Sequence, residues 1–203
     1  MKSINIDELA LMDRFYRANL INSISGFKPV SLIGTVDQSG VTNLAIFSNI
    51  VHLGADPAMV GFINRPLQAA PHTIANIQST KVYTINHIQP AFLEKAHQTS
   101  AKYPEGISEF TATGIEPEFI EGIKAPFVKE SIVKYALSLE EIIPIKINDT
   151  FLVIGSILSV HFDEKILAED GFLDLEKAKS VCSVGLDGYY STKQIGRYPY
   201  AKP

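Results

Sequence analysis

The pattern of hydrophobic and polar positions predicts a chain of mostly β-strands, with helices at its beginning and between the strands. Helical spacing is clear near the start, where Leu9, Met12, Tyr16 and Leu20 recur at steps of three and four residues. Runs rich in β-branched and aromatic residues predict six strands, at 30–36, 41–47, 58–64, 81–88, 131–145 and 151–162. Helices are predicted over 7–22, 72–80, 90–101 and near 174–182, whereas 102–129 shows no regular period.

Short turns connect several of these strands. The sequence DQSG at 37–40 and a turn around NDT at 148–150 each predict a hairpin. Strands in hairpin succession, long enough to curl, favour an antiparallel barrel over a doubly wound parallel sheet. No internal repeat or linker divides the chain. We therefore predict a single mainly β domain over 1–203, with flanking helices.

The composition favours an ordinary soluble domain and argues against several kinds of partner. The chain has 203 residues and a formal net charge of −4, with no run of Lys or Arg, so we expect no nucleic-acid partner. No apolar stretch approaches the roughly 18 residues of a membrane span, and the first residues lack the apolar region of a signal peptide. A single cysteine, Cys182, fits a reducing compartment, and we expect a cytoplasmic protein. At the end of the predicted last helix, Cys182 is interpreted as a small buried thiol rather than a nucleophile.

The sequence lacks the motifs of most protein-based catalysis. It contains no Gly-rich phosphate loop, no Gly-x-Ser-x-Gly elbow and no short His or Cys spacing for a metal. Glu140 and Glu141 are adjacent in a predicted strand, so their side chains point to opposite faces and form no carboxylate pair. If the protein is an enzyme, a cofactor is expected to supply the reactivity.

Residues 40–80 combine features that a flavin mononucleotide requires. In NLAIFSNI, Asn43, Phe47 and Asn49 alternate to one face and Ser48 points to the other, so a bulge or strand end is needed for both Ser48 and Asn49 to reach one ligand. Such a strand end offers polar groups to the edge of a flavin ring. Arg65 is suited to a phosphate, and the helix start at His72 and Thr73 offers free N–H groups.

Each of these residues also has a structural interpretation. Asn43 could cap the hairpin turn, and Ser48 and Asn49 could satisfy backbone groups at a strand end. Arg65 could be a solvated loop cation. His72 and Thr73 could only begin a helix, in which Thr is a good cap and Asn76 is structural.

The order of motifs resembles the flavin reductase-like family of FMN-binding split β-barrels. The matching pieces are a strand followed by Asp-x-x-Gly, then TNLAIFSNI, DPAMVGFI, an arginine, HTIANI and YTIN, with YPEGISEF, GIEP, APFVKES and GSILSVHF further along. The resemblance covers nearly the whole chain. It implies a six-stranded antiparallel split β-barrel that forms a homodimer and binds FMN, or alternatively FAD, in a cleft at the subunit interface.

The resemblance also implies roles for individual positions. The flavin-lining segment contains Asn43, Phe47, Ser48 and Asn49. Phosphate and ribityl contacts cluster at Arg65, His72, Thr73 and Asn76. The implied reaction is hydride transfer from NADH or NADPH to flavin N5, after which electrons pass to a monooxygenase, another acceptor or oxygen.

One departure from the family affects the expected electron donor. Compact reductases of this family carry Gly-Asp-His near a late barrel strand, whereas this chain reads VIGSILSVHFDE. His161 is therefore a weak candidate for a nicotinamide contact, and a sheet-surface role is the alternative.

Three other functions stay open from the sequence. They are a non-catalytic flavin-binding or electron-carrier protein, another FMN-dependent enzyme such as an oxidase of a pyridoxal-type phosphate, and a ligand-free interaction module. The tail residues Tyr189, Tyr190, Tyr198 and Tyr200 are interpreted as a packing or dimer segment, with a cover over the flavin as the alternative.

Overall fold

The computed structural model describes residues 1–104 and 106–202. Within these residues the α-helices are α1 (Ile6–Leu11), α2 (Arg14–Ile24), α3 (Pro71–Thr80), α4 (Leu93–Gln98) and α5 (Glu109–Thr113), and 3₁₀ turns span Pro90–Phe92 and Glu164–Ile166. The strands are β1 (Lys28–Pro29), β2 (Ser31–Val36), β3 (Thr42–Phe47), β4 (Ile50–Ala55), β5 (Ala58–Asn64), β6 (Val82–His87), β7 (Pro117–Glu118), β8 (Phe127–Val128), β9 (Val133–Ile145), β10 (Thr150–Phe162), β11 (Val181–Val184) and β12 (Gly188–Ser191).

The main sheet is an antiparallel sheet of seven strands that rolls up without closing. Its order is β3-β2-β6-β9-β10-β5-β4, so β3 and β4 lie at opposite edges and do not pair with each other. Yet only Ser48 and Asn49 connect them along the chain. Three Cα–Cα steps from Phe47 to Ile50 span at most about 11 Å, so the two edges must approach each other at this point. The result is a split barrel, which confirms the predicted fold class.

The seventh strand, β4, has no counterpart in the sequence prediction. It lies at the sheet edge, is largely exposed, and pairs only with β5. Its residues, IVHLGA, mix polar and apolar types without a clean alternation, because an exposed edge strand has no fully buried face to impose one.

Three predicted helices differ from the structure. The helix over 7–22 is divided into α1 and α2, because the Asp13 side chain accepts hydrogen bonds from the N–H groups of Phe15 and Tyr16 and begins a new helix. The helix over 90–101 is a 3₁₀ turn followed by the shorter α4.

The prediction of a helix near 174–182 is wrong. Residues 175–179 form turns, Lys179 adopts a left-handed φ of 53°, and the chain then enters β11. A non-local bond helps to hold the strand, since Val181 N–H donates to Ile88 O at 3.0 Å. Cys182 therefore lies on a strand and is partly exposed, and burial raises the pKa of its thiol.

Strand β2 is buried on both of its faces. Inside the barrel, Ile33 packs in a core with Phe62, Tyr83 and other apolar residues, including two from α3. On the outer side, Leu32 packs in a second core that α4 and α5 cover. Helices α3, α4 and α5 are thus held against the part of the barrel that contains β2 and β3.

Candidate functional site

A cavity of about 520 Å³ opens at the gap between the two sheet edges. It is bounded by β3, the link Ser48–Asn49, the segment from Arg65 to Thr73, residues 97–103, and the hairpin of β11 and β12. Its size falls within the roughly 300–1,000 Å³ of small-molecule sites. Because β3 ends at Phe47, Ser48 and Asn49 lie outside the regular strand and both line this cavity.

One wall of the cavity is the free edge of β3. Leu44 N–H points away from β2, since it donates to Glu109 Oε2 at 2.9 Å. In an antiparallel ladder the backbone groups of alternate residues point the same way. The N–H and C=O of Ile46, which also lines the cavity, therefore face outward from the sheet. A strand edge of this kind offers a donor and an acceptor to the polar edge of a planar ring.

Asn43 joins β3 to α3. Its Nδ2 donates to Thr73 Oγ1 at 3.2 Å, and both residues are almost fully buried at the edge of the cavity. Asn43 does not cap the hairpin turn, because Asp37 Oδ1 accepts from the N–H groups of Ser39 and Val41 there.

The link between the edge strands contains an unsatisfied acceptor. Asn49 Oδ1 is buried without a hydrogen-bond partner among the described residues. A buried polar atom of this kind costs about 1–3 kcal/mol unless a partner is supplied. A ligand N–H in the cavity is one such partner, and a flavin ring carries an N–H on its polar edge.

The loop from Arg65 to Ala70 is fixed by the residue that precedes it. Asn64 is fully buried, and its Nδ2 donates to Arg65 O at 2.7 Å and to Ala70 O at 3.1 Å. This bridge places Arg65, which is exposed and lines the cavity, beside the start of α3.

The N-terminus of α3 is open towards the cavity. Pro71 is the first helical residue, and Ala70 before it provides no side-chain cap. Thr73 lies inside the first turn and therefore does not cap this helix. His72 and Thr73 line the cavity, so the first-turn N–H groups and the partial positive charge of the helix are available to an anion.

Two predicted site residues lie elsewhere. Asn76 does not line the cavity, because its Nδ2 donates to Thr35 Oγ1 at 3.1 Å and ties α3 to β2. His161 is on β10, where Nε2 and Ser159 Oγ are 3.0 Å apart and the ring packs edge-on against Phe127. His161 thus lies on the sheet and is not among the residues that line the cavity.

The cavity also contains residues that the sequence did not indicate. Glu109 is buried, and burial raises the pKa of its carboxyl group. Lys28, Ser183 and His97 come from distant segments, and no local motif marks them. Tyr189, noted only as part of the aromatic tail, joins them and accepts or donates a 2.7 Å hydrogen bond with His97 Nδ1.

The charges around the cavity favour an anion. The described lining residues include three cations and only one carboxyl group, that of Glu109. The cations are Lys28, Arg65 and Lys102. The excess of positive charge around the cavity contrasts with the net charge of −4 of the whole chain. Local field, rather than net charge, determines which ligands concentrate in a cleft.

No helix within 1–104 and 106–202 is long and apolar enough to cross a membrane. Across the part of the chain that the structure describes, no group of three or more His, Cys, Asp or Glu residues is arranged to hold a metal ion.

Comparison with known proteins identifies the family. The model of the flavin reductase like domain matches residues 27–180. The structure is similar to that of a protein from Shewanella frigidimarina NCIMB 400 proposed to be a flavin reductase with a split barrel domain, with 45% identity and a TM-score of 0.96 over 99% of this chain and 100% of the other.

Two more distant structures share the fold. Component B of nitrilotriacetate monooxygenase from Bacillus cereus has 21% identity and a TM-score of 0.85, with 98% of each chain covered. The 2-nitrobenzoate 2-nitroreductase NbaA of Pseudomonas fluorescens has 20% identity and a TM-score of 0.83, over 100% of this chain and 98% of the other. The family match over most of the length, together with the rolled sheet and its cavity, shows that this chain belongs to the flavin reductase-like family and has a flavin-related function.

Proposed function

We propose that the protein binds FMN in the cavity beside the free edge of β3 and the link Ser48–Asn49, and that it acts as an NAD(P)H-dependent flavin reductase. The observation that carries the proposal is the arrangement of the cavity. A free strand edge and two polar link residues lie in the same 520 Å³ space as an arginine and an uncapped helix N-terminus. This arrangement suits a ligand that is a planar, polar-edged ring at one end and an anion at the other.

The residues fit FMN part by part. Ile46 N–H and C=O, Ser48 and Asn49 would bind the polar edge of the ring, while Phe47 and Ala45 supply apolar contact. Arg65, His72 and the first N–H groups of α3 would bind the phosphate. Asn43 and Thr73 hold β3 and α3 together between these two ends.

The chain's own part in the reaction is binding and orientation. Bound FMN supplies a hydride acceptor, so the protein needs no nucleophile or metal of its own. The strand edge would hold and orient the ring, and the buried outer core that includes Leu44 of β3 would limit access of water from that side.

The electron donor and acceptor belong to the same proposal. NADH or NADPH is the proposed donor, and a monooxygenase, another protein or oxygen the acceptor. Component B of nitrilotriacetate monooxygenase, named above, is by its name part of a monooxygenase system, which supports an acceptor of that class.

A homodimer is also proposed. Helices α1 and α2 bury none of their residues. Phe15, Ile24 and Phe27 are each about 70% exposed, which is unusual for large apolar side chains and favours coverage by a second copy. The cytoplasmic location remains a prediction.

A second candidate function is direct reduction of a small molecule by the flavin-loaded protein. NbaA, a nitroreductase by its name, has the same fold. A flavin-binding electron carrier that does not react with NAD(P)H is the remaining alternative on this site.

Absorbance spectroscopy followed by kinetics tests the proposal. The purified protein is expected to show, or to gain on addition of FMN, the perturbed flavin bands of a bound ring and a higher melting temperature. With FMN present it is expected to accelerate oxidation of NADH or NADPH. A bound flavin without such acceleration would favour the carrier or the second candidate, and absence of flavin binding would refute the proposed function.

A further inference from the structure

Three polar side chains form a row across the small sheet of β1, β11 and β12. Lys28 pairs with Ser183, and Ser183 pairs with Tyr189, in directly opposed antiparallel positions. Side chains in opposed positions lie on the same face of a sheet with Cβ atoms about 5 Å apart. All three line the flavin cavity, and we call them the Lys28 row.

The middle residue of the Lys28 row lacks a partner. Ser183 is 3% exposed, and its Oγ is buried without a hydrogen-bond partner among the described residues. The hydroxyl can donate one hydrogen bond and accept two. An unsatisfied hydroxyl between an ammonium and a phenol favours occupancy by an oxyanion, which accepts from Lys28 and Ser183, and also from Tyr189 when His97 Nδ1–H donates to the phenol oxygen.

The outer residues of the row are held in place. Lys28 Nζ donates to Asn22 O at 3.0 Å and to Gly185 O at 3.2 Å, which uses two of its three donors. At the other end, the Tyr189 hydroxyl is held by His97 Nδ1 at 2.7 Å. Burial raises the pKa of the Tyr189 hydroxyl, so it stays protonated at neutral pH.

The Lys28 row is built from different elements than the proposed phosphate site. Arg65 and the N-terminus of α3 follow β5, whereas the row joins β1 with the hairpin near the C-terminus. FMN carries one phosphate group. Besides Arg65, the described lining residues include Lys28 and Lys102 against one carboxyl group, so the cavity has a place for a second anion.

We propose that the Lys28 row is a second oxyanion site, which holds a phosphate or carboxylate group of the molecule that exchanges hydride with the flavin. The inference rests on the proposed function, because it assumes FMN in the same cavity. A phosphate would belong to a nucleotide donor, whereas a carboxylate would belong to an aromatic acid that accepts electrons. Both sources share the chemistry that the row recognises.

The experiment uses oxidised, FMN-loaded protein and needs no turnover. ADP-ribose serves as a non-reducing probe that carries phosphates, and benzoate as an aromatic carboxylate. Binding of each is followed by the change in the absorbance bands of bound FMN. The variants are Ser183→Ala, Tyr189→Phe and Lys28→Met, and the control is Tyr190→Phe, which packs against Phe27 and does not line the cavity.

At least one probe is expected to bind the wild-type protein. Ser183→Ala and Lys28→Met are each expected to weaken that binding about tenfold, the effect of one lost hydrogen bond to a charged group, and Tyr189→Phe by several-fold. FMN affinity should stay within twofold in Ser183→Ala and Tyr189→Phe, and Tyr190→Phe should resemble wild type. Binding of ADP-ribose alone identifies a nucleotide, and binding of benzoate alone an aromatic acid.

Three results would overturn the inference. They are FMN-loaded protein that binds neither probe, variants that bind the probe as wild type does, and variants that lose FMN instead of the probe. The last would assign the Lys28 row to the flavin itself. Failure to bind FMN at all would instead refute the proposed function. Because Ser183→Ala and Tyr189→Phe remove single oxygen atoms, they keep the test valid if Lys28→Met detaches α2 from Gly185.

Discussion

Replacement of Arg65 with alanine tests whether this side chain binds the flavin phosphate. Arg65 is exposed and lines the cavity. The loop that carries it is fixed through backbone oxygens, which accept hydrogen bonds from Asn64, and not through the Arg65 side chain. Removing the Arg65 side chain therefore leaves the loop conformation in place. The substitution should change binding of the phosphate rather than the shape of the site.

The expected loss follows from the exposure of Arg65. A hydrogen bond to a charged group contributes about 1.5–3 kcal/mol, and solvent screening of an exposed side chain places Arg65 at the lower end. A loss of about 1.5 kcal/mol is about a tenfold increase in Kd. Binding should not be abolished, because the N-terminus of α3 still contributes about 0.3–1 kcal/mol towards an anion.

Calorimetric titration of apo-protein with FMN and with riboflavin isolates the phosphate. Riboflavin has the same ring but no phosphate, so Arg65→Ala should raise the Kd of FMN about tenfold and leave that of riboflavin within twofold. Arg65→Lys should lose part of the effect, since lysine keeps the charge without the forked geometry. Lys146→Ala, an exposed cation in the hairpin between β9 and β10, controls for the change in net charge.

Two outcomes would contradict this reasoning. Equal weakening of both flavins would show that Arg65 supports the loop rather than the phosphate. Unchanged affinity for both would remove Arg65 from the site.

Three further predictions concern other parts of the structure. Gly34→Ala should destabilise the fold by about 3 kcal/mol in chemical denaturation, because a Cβ there would overlap the backbone oxygen of Pro126, whereas Gly196→Ala in the tail should change little. Asn64→Ala removes two hydrogen bonds to the loop and should cost about 2 kcal/mol of stability while weakening FMN binding; normal stability and affinity would count against the role of this bridge. Burial lowers the pKa of His87 from 6.5 to about 4, so the unfolded state takes up a proton first and stability should fall as pH drops from about 6.5 to 4, by up to about 3 kcal/mol. His87→Gln should flatten that slope in denaturation curves measured across this range, and an unchanged slope would exclude His87 as its source.

The sequence alone determined the elements whose pattern is local. The β-branched and aromatic residues of 41–47 and 58–64, and turn residues such as Asp37 to Gly40, specify strands and a hairpin, because these side chains suit an extended backbone and Asp and Gly suit a turn. The alternation of side chains along a strand predicted that Ser48 and Asn49 could share a ligand only at a bulge or a strand end, and β3 ends at Phe47. Arg65 and the helix start at His72 follow these residues along the chain, and the structure places all of them around one cavity, as the sequence predicted. Their contacts with FMN remain predictions.

The tertiary structure decided what depends on distant segments meeting. The local sequence does not show that β3 and β4 are opposite edges of one sheet. Their positions follow from the pairing of β3 with β2 and of β4 with β5, which depends on the packing of the whole barrel. The predicted helix near 174–182 is replaced by turns and then by a strand for the same reason, since β11 pairs with β1 from a distant part of the chain. Ser183 reaches the cavity only through that pairing. The hydrogen bonds of a strand depend on which other strand lies beside it. That pairing is set by the packing of the whole domain and cannot be read from either segment alone.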